Sequence, residues 1–141
     1  MRSSGFVVLV VEDDVFTRID VAGAFEASGW TVLEAASGKS ALELCGSDTQ
    51  VDLLITDIDL GSGPTGWDVA RSFWRRDALP VIYVSANPDA PHRHVPQSRF
   101  VAKPCSSSAL VEACERLHEG FWRRKSGRDA GESPDKAAGP A

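Results

Sequence analysis

Long apolar runs are absent from this sequence of 141 residues. A membrane-spanning helix needs roughly 18 consecutive apolar residues, whereas the longest run here, residues 6–11 (FVVLVV), is only a third of that length. The same run is too short for the apolar part of a signal peptide, and no small-residue cleavage site follows it. We therefore expect a cytoplasmic protein with no membrane partner.

Cysteine is scarce, with Cys45, Cys105 and Cys114 as the only three in the sequence. An odd number without CxxC spacing argues against a disulfide framework and against a zinc site. A free cysteine behaves as a small apolar side chain and is most often buried. We expect all three to be buried, reduced thiols.

Positive charge is in short supply, and the formal net charge is -5. Residues 1–121 hold 10 Lys and Arg against 17 Asp and Glu, which leaves -7, whereas residues 122–141 carry +2. Phosphate contacts dominate the affinity of proteins for nucleic acids, so an acidic body disfavours nucleic acid as a partner.

Large apolar residues are missing from Ser126 onward, where Gly, Pro and Ala are frequent. This composition predicts a disordered tail. We therefore divide the chain into a domain over residues 1–121 and a segment over residues 122–141, which comprises a basic helix end and the tail. The basic residues Arg123–Lys125 have two explanations, either as cations that complement a helix dipole or as a docking patch.

Five short apolar runs are present, and they alternate with segments whose apolar residues recur at helical spacing. The runs fall at residues 6–11, 31–33, 53–55, 81–84 and 100–102. Alternation of strand and helix predicts a parallel sheet that is covered by helices on both faces. We predict an α/β fold with a five-stranded parallel sheet in the order 2-1-3-4-5, a flavodoxin-like (βα)5 sandwich.

Acidic residues follow two of the predicted strands, at the edge where such folds bind ligands. Glu12 and Asp13 follow the first strand and Asp57 follows the third, so three carboxylates converge and repel one another unless a cation is present. Mg²⁺ is the natural candidate because it prefers oxygen ligands. Ser85 and Lys103, after the fourth and fifth strands, offer a hydroxyl and a compact positive charge suited to phosphoryl oxygens.

Each acid taken singly also has a simpler explanation, since Asp13 or Asp14 could cap the helix that begins near Val15. That explanation is weak for the acids, Ser85 and Lys103 taken together. An Asp placed between a metal ion and a lysine is a suitable nucleophile for a covalent aspartyl phosphate.

Four stretches of the chain resemble the receiver domain of two-component response regulators. They are residues 9–14 (LVVEDD), 52–66 (DLLITDIDLGSGPTG), 80–86 (PVIYVSA) and 100–104 (FVAKP), and the resemblance covers about residues 6–121. It implies that Asp57 accepts a phosphoryl group from a histidine kinase or phosphotransfer protein. It also implies that Glu12, Asp13 and Asp57 hold Mg²⁺ together with the backbone carbonyl of Asp59.

The same resemblance implies a conformational switch. Ser85 would bond to the phosphoryl oxygen and Lys103 would bridge to it, the bond before Pro104 would be cis, and Phe100 would be the rotameric aromatic that reports the switch. The domain would promote only its own phosphorylation and dephosphorylation. As a stand-alone receiver, it would signal through an unidentified downstream protein.

The segment over residues 86–99 departs from the family, because it is shorter than is typical and contains Pro88, Pro91 and Pro96. Proline is poorly tolerated inside a helix. We therefore expect the fourth helix of the fold to be short, irregular or absent. His92 and His94 in this segment could bind a metal, but histidines on a polar loop are more often simply solvated.

Three rival functions remain open. Residues 61–66 (GSGPTG) satisfy the GxGxxG pattern of dinucleotide sites, although they follow the third strand and no acid ends the fourth. Asp57 and Asp59 also resemble the DxD motif of haloacid-dehalogenase-type phosphatases, with a nucleophile and an acid/base, but Gly61 breaks that motif and the upstream acids stay unexplained. The third rival is a metal-independent binding module of receiver shape, which would not need Asp57, Ser85 and Lys103.

Overall fold

Strands and helices alternate along the chain, as the pattern of apolar residues predicts. A computed structural model describes residues 5–86 and 93–129, with side chains as far as Lys125. The strands are β1 (Val7–Val11), β2 (Thr31–Ala35), β3 (Leu53–Asp57), β4 (Val81–Ser85) and β5 (Ser98–Ala102). The helices are α1 (Val15–Ala27), α2 (Gly38–Cys45), α3 (Gly66–Arg76) and α4 (Ser107–Asp129).

The five strands form one parallel sheet in the order β2-β1-β3-β4-β5. The predicted fold class and strand order are therefore confirmed. The order reverses at β1, which lies between β2 and β3. The carboxyl ends of β1 and β3 lie side by side there, with Val11 paired to Thr56.

Both faces of the sheet are buried, which explains why β1 and β3 are apolar along most of their length. Leu9 and Val11 point into one core, with α2 and α3. Val8 and Val10 point into the other core, with α1 and α4. Their alternation follows from the period of two in a strand.

Phe16, Ile19, Ala22 and Phe25 recur at helical spacing in α1, but only the later two of them are buried. Phe25 and Ala22 are buried, whereas Phe16 is 80% exposed and Ile19 is 56% exposed. These two lie near the carboxyl edge of the sheet, where helix α1 begins directly after the acidic segment.

Among the described residues, no helix lies between β4 and β5. Val95 is buried there, and its backbone N–H donates to the Tyr83 hydroxyl at 3.1 Å. This hydrogen bond ties the segment before β5 to the side chain of Tyr83 in β4. Residues 87–92, including Pro88, Pro91 and His92, lie outside the described part, so the prediction for this helix is tested only at its ends.

Helix α4 continues through Asp129, past the point at which the composition predicted a tail. Ser126 to Asp129 are therefore helical. Once a helix is nucleated, each further residue adds a hydrogen bond, so a long packed helix extends past its last core contact. The remaining tail lies outside the described residues. None of the helices in the described part is long and apolar enough to cross a membrane.

Candidate functional site

Three carboxylates meet at the reversal of strand order. Glu12 and Asp13 directly follow β1, and Asp57 is the last residue of the neighbouring β3. One carboxylate oxygen from each residue lies within 4.8 Å of the others. The structure therefore brings together the three acids that the sequence placed at this edge.

The cap of α1 removes one alternative explanation for these acids. Asp14 is the N-cap, and its Oδ2 accepts hydrogen bonds from Thr17 N at 2.9 Å and from Thr17 Oγ1 at 2.6 Å. These bonds from Thr17 lower the pKa of Asp14. Asp13 is thus not needed for capping, and its carboxylate belongs to the cluster.

Lys103 reaches the cluster from the end of β5. Its Nζ donates to Asp57 Oδ2 at 2.9 Å and to Glu12 Oε1 at 3.3 Å. Burial lowers its pKa, but the hydrogen bond and negative charge of Asp57, with Glu12, outweigh that effect and raise the pKa above its usual value. Lys103 therefore stays charged. The bond from Lys103 to Pro104 is cis, as expected.

Glu12 is the most deeply buried acid of the site, at 6% exposure. Burial raises its pKa, and the nearby charge of Asp57 adds to this, while the bond from Asp14 N to Glu12 Oε2 at 3.1 Å and the charge of Lys103 oppose it. The carboxylate of Glu12 is therefore held in an environment that disfavours its charge, which a further cation would relieve.

The donor set fits a divalent cation. Three carboxylates against one ammonium leave a formal charge of -2 at full ionisation. Like charges about 4–5 Å apart repel by roughly 3–4 kcal/mol at an effective dielectric constant of about 20, so this arrangement is costly without compensation. All the available ligand atoms are oxygens, which suits Mg²⁺ better than softer metals.

Asp59 lies beside this cluster and is exposed. Its backbone N–H donates to Asp57 Oδ1 at 3.3 Å, and its own Oδ1 accepts from Gly61 N at 3.3 Å. The Asp59 side chain thus hydrogen-bonds to the loop that follows it. The role of its backbone carbonyl as a metal ligand stays a prediction.

The glycines of the loop after β3 are required by its backbone conformation and by a close approach to β3. Gly61 and Gly63 have φ values of 83° and 90°, which side-chain-bearing residues rarely adopt. A Cβ at Gly66 would come within 2.8 Å of Ile58 Cα and even nearer to Asp57 O. The loop therefore packs α3 against the turn that carries Asp57, which explains the GxGxxG pattern without a dinucleotide.

Ser85 and Phe100 occupy the two strands between Asp57 and the edge of the sheet. Ser85 ends β4, and its backbone O accepts from Lys103 N at 2.9 Å. The ring of Phe100 stacks on Tyr83 with centroids 5.1 Å apart and meets Trp67 edge-on at 5.9 Å. Phe100 is 37% exposed, so part of its side chain faces solvent. The roles of Ser85 and Phe100 in a switch stay predictions.

Two residues at this site were not found from the sequence. Thr56 is fully buried, and its Oγ1 donates to Asp57 O at 2.8 Å. Arg18 donates to Glu12 O at 2.9 Å and to Glu34 Oε1 at 3.1 Å. Thr56 lies in the stretch 52–66, but nothing in that stretch indicates its bond to the backbone of Asp57. Arg18 lies outside the four stretches, and its pairing with Glu34 becomes foreseeable only when β2 is known to lie beside β1.

The expectation that all three cysteines are buried is wrong for two of them. Cys114 is buried, and burial raises its pKa well above the usual value, but Cys105 is exposed and Cys45 is partly so. Cys105 directly follows Pro104 at the mouth of the site, where the chain turns toward α4 before it packs on the sheet. All three are free thiols, as predicted.

Cavities lie at both ends of the parallel strands. One of about 250 Å³ opens at the site and extends between α1 and α4, with Glu12, Asp57, Lys103 and Cys105 in its lining. A larger one, of about 480 Å³, lies at the opposite edge of the sheet. Arg76 in its lining already donates to the carbonyls of Cys45 and Thr49. We therefore place the chemistry at the smaller cavity.

A parallel α/β sandwich with acids and a lysine at its switch point is the architecture of receiver domains. Residues 8–115 match the response regulator receiver domain family, so the chain belongs to that family. A response regulator receiver protein from Sinorhizobium medicae superposes with a TM-score of 0.77 and 28% identity, over 84% of this chain and 98% of that one.

Two curated relatives differ in length. The two-component response regulator ORR5 of Oryza sativa is 29% identical over 117 residues, which cover 78% of this chain and 87% of ORR5. The phyllosphere-induced regulator PhyR of Methylorubrum extorquens is 25% identical over 83 residues, which cover 58% of this chain and 31% of PhyR. The chain therefore spans under a third of PhyR.

Proposed function

We propose that this receiver domain accepts a phosphoryl group on Asp57, in a reaction that depends on Mg²⁺. The observation that carries the proposal is the position of Asp57, whose carboxylate lies within 4.8 Å of those of Glu12 and Asp13 and accepts a hydrogen bond from Lys103 Nζ at 2.9 Å. We place Mg²⁺ among the three carboxylates, with the carbonyl of Asp59 as a further ligand.

In the proposed transfer, a carboxylate oxygen of Asp57 attacks phosphorus and the bond from phosphorus to the donor breaks. The donor atom, a histidine nitrogen in a kinase or phosphotransfer protein, keeps the electron pair. The metal supplies charge neutralisation for the phosphoryl oxygens. Lys103 supplies a second positive charge, and Thr56 and Gly66 hold the backbone of Asp57 in place. No other substrate is altered, so the domain acts on itself alone.

The proposed output is a shift between two conformations of one fold. After transfer, Lys103 would bridge to the phosphoryl group, and the Ser85 hydroxyl would bond to one of its oxygens. Reversing a 1:99 mixture needs roughly 5.5 kcal/mol of differential interaction, which a few charge-assisted hydrogen bonds supply. Phe100 lies on β5, three residues before Lys103, so a movement of that strand would reach its exposed ring.

The donor and the downstream partner are, in our proposal, cytoplasmic proteins. Support for a protein donor comes from α1, where the exposed side chains of Val15, Phe16 and Ile19 follow the acidic segment. Apolar side chains beside a charged site suit a protein surface better than a nucleic acid. For the downstream partner, the proposal commits only to a protein.

The decisive experiment is incubation with acetyl phosphate and Mg²⁺, followed by intact mass measurement. The wild-type chain should gain one acid-stable, base-labile phosphoryl group, and neither EDTA-treated protein nor Asp57→Asn should gain any. No adduct on the wild-type chain would refute the proposal.

Asp59→Asn is the matched control that separates the proposal from a phosphatase. A receiver uses only the backbone of Asp59, so this variant should still form the adduct. A dehalogenase-type phosphatase would instead turn over an ordinary phosphate ester repeatedly and would lose that activity in Asp59→Asn, because the side chain is its acid/base.

A further inference from the structure

Arg18 makes two contacts that tie three elements together beside the acidic site. From α1, its Nη1 donates to Glu12 O at 2.9 Å, and its Nε donates to Glu34 Oε1 at 3.1 Å. Glu34 lies in β2, and Glu12 directly follows β1. The side chain of Arg18 is only 16% exposed, so both bonds are partly shielded from water.

The backbone of Glu12 is held by a hydrogen bond on each side, one to β2 and one from Arg18. The N–H of Glu12 donates to Ala35 O at 3.0 Å, and its carbonyl accepts from Arg18. Two residues later, Asp14 is fixed as the cap of α1, and its carbonyl accepts from Arg18 N at 2.9 Å. Asp13 therefore lies between two anchored residues, Glu12 and Asp14. The Arg18 side chain bonds to the first, whereas only the backbone N–H of Arg18 bonds to the second.

We propose that Arg18 is a positioning residue for the acidic segment over residues 12–14. It acts through the backbone of Glu12 to hold Glu12 and Asp13 at the spacing that binds a divalent cation and supports phosphoryl transfer. This inference rests on the proposed function. It goes beyond that function because the hydrogen bonds of the Arg18 side chain reach neither Asp57 nor any carboxylate of the cluster.

A role in charge balance predicts the opposite result, which makes the proposal testable. Removing a cation near three carboxylates makes their surroundings more negative, so on charge alone the affinity for Mg²⁺ should increase. If Arg18 positions the acids, removing it loosens them and the affinity should decrease. Loss of such a supporting contact typically weakens metal binding by roughly 10–100-fold.

The test compares Arg18→Met, which removes the charge, with Arg18→Lys, which keeps the charge but lacks the planar fork that serves two acceptors. Calorimetric titration of each chain with Mg²⁺ gives the dissociation constant, and thermal unfolding in EDTA gives the stability separately. Arg71→Met is the matched control, because Arg71 makes an exposed ion pair with Asp68 on α3, on the other face of the sheet.

We expect the Mg²⁺ dissociation constant to rise about tenfold in Arg18→Met and by a smaller factor in Arg18→Lys, with a matching loss in the rate of adduct formation from acetyl phosphate. Arg71→Met should match the wild type in both. An unchanged or smaller dissociation constant in Arg18→Met would overturn the inference.

Two further comparisons separate a failure of this inference from misfolding of the variant and from a failure of the proposed function. If Arg18→Met is unfolded in EDTA, the comparison rests on Arg18→Lys, which keeps the charge but cannot serve both acceptors as the guanidinium does. An unchanged Mg²⁺ dissociation constant in Arg18→Lys would then overturn the inference. A wild-type chain that takes up neither Mg²⁺ nor a phosphoryl group would overturn both proposals. A wild-type chain that takes up both, with Arg18 variants unaffected, would overturn this one alone.

Discussion

Lys103 offsets part of the negative charge of the candidate site. It bonds to both Asp57 and Glu12 from a strand two positions away from β3. About a third of the Lys103 side chain is exposed, so the pair with Asp57 lies between the surface and buried cases, and its strength depends on solvent screening. We therefore expect its loss to change both stability and metal binding.

Replacement of Lys103 with Met should destabilise the metal-free protein by about 1–2 kcal/mol, because two acids lose their cation. Added Mg²⁺ should then raise the melting temperature by more in Lys103→Met than in the wild type, since the ion supplies the missing charge. Calorimetric melts with EDTA and with Mg²⁺ measure both effects. Equal shifts in the two chains would show that Lys103 and the metal do not share the same carboxylates.

Some residues of the site were predictable from the sequence and others were not. Glu12, Asp13 and Asp57 are predictable because each stands at the end of a strand, and strand ends meet once the order is known. Arg18 is not predictable in this way, since its partners are a backbone carbonyl and a residue of a different strand. Which of Asp13 and Asp14 caps α1 also required the structure, because both have suitable side chains.

At the scale of elements, two glycines show opposite requirements. Gly23 lies inside α1, where a Cβ would have no atom within 4 Å, whereas a Cβ at Gly66 would strike the turn that carries Asp57. Gly23→Ala should stabilise the protein by about 0.5–1 kcal/mol through helix propensity. Gly66→Ala should destabilise it by about 1–3 kcal/mol through overpacking.

The same pair of variants tests whether that turn matters for phosphorylation. The rate of adduct formation from acetyl phosphate should fall in Gly66→Ala and stay at the wild-type value in Gly23→Ala. Chemical denaturation measures the two stabilities. A Gly66→Ala chain with wild-type stability and rate would contradict the close packing of α3 on Asp57.

Helix α4 carries a buried histidine, which predicts a pH dependence of stability. His118 packs against Phe6 and Trp30, with ring centroids 4.5 and 5.2 Å away. Burial lowers its pKa below 6.5, while the charges of Asp52 and Glu119 oppose the shift. The unfolded chain therefore binds this proton first as the pH falls, so stability is full above that value and declines below it.

Denaturation curves between about pH 7 and about pH 5 should show this decline. The decline should be smaller in His118→Phe, which keeps an aromatic ring but cannot be protonated. Because the acids titrate in both chains, the difference between the two curves isolates His118. Parallel curves would show that the histidine is protonated equally in the folded and unfolded chains.

Elements differ in how well the sequence predicted them. The central strands were predictable because burial on both faces gives continuous apolar runs, and α3 was predictable because burial on one face imposes a helical period. The extension of α4 to Asp129 was not, because its last residues have a tail-like composition and helix propagation depends on the preceding turns. The exposure of Phe16 and Ile19 was not predictable from their helical spacing, since spacing alone does not reveal where the sheet ends.

At the scale of the whole molecule, the strand order was the most informative prediction. Alternating elements with a switch point also fit other orders, such as 3-2-1-4-5, so the order 2-1-3-4-5 was a hypothesis, and it fixes which strand ends become neighbours. For the segment between β4 and β5, the prolines and the short length predicted only that it would differ from the receiver family, and they did not predict its conformation. It is also the part of the molecule in which we expect the switch to act, because it joins Ser85 to Phe100 and Lys103.

Hydrogen exchange on the whole chain measures that switch. Beryllofluoride with Mg²⁺ imitates a phosphoryl group on a carboxylate, and its addition should change the exchange of amides in β4, β5 and the described residues between them. Amides of α2, which packs on α3 and contributes no residue to the site, should stay unchanged. Asp57→Asn should show no response, and a response confined to α2 would contradict the proposed route.

The central claim is that Asp57 is the phosphoacceptor, and the most direct measurement locates the adduct by residue. After reaction with acetyl phosphate and Mg²⁺, borohydride reduces an aspartyl phosphate to homoserine, which peptide mass spectrometry can identify. We predict homoserine at position 57 and unmodified aspartate at positions 13 and 59. Unmodified aspartate at position 57, or homoserine at another position, would contradict it.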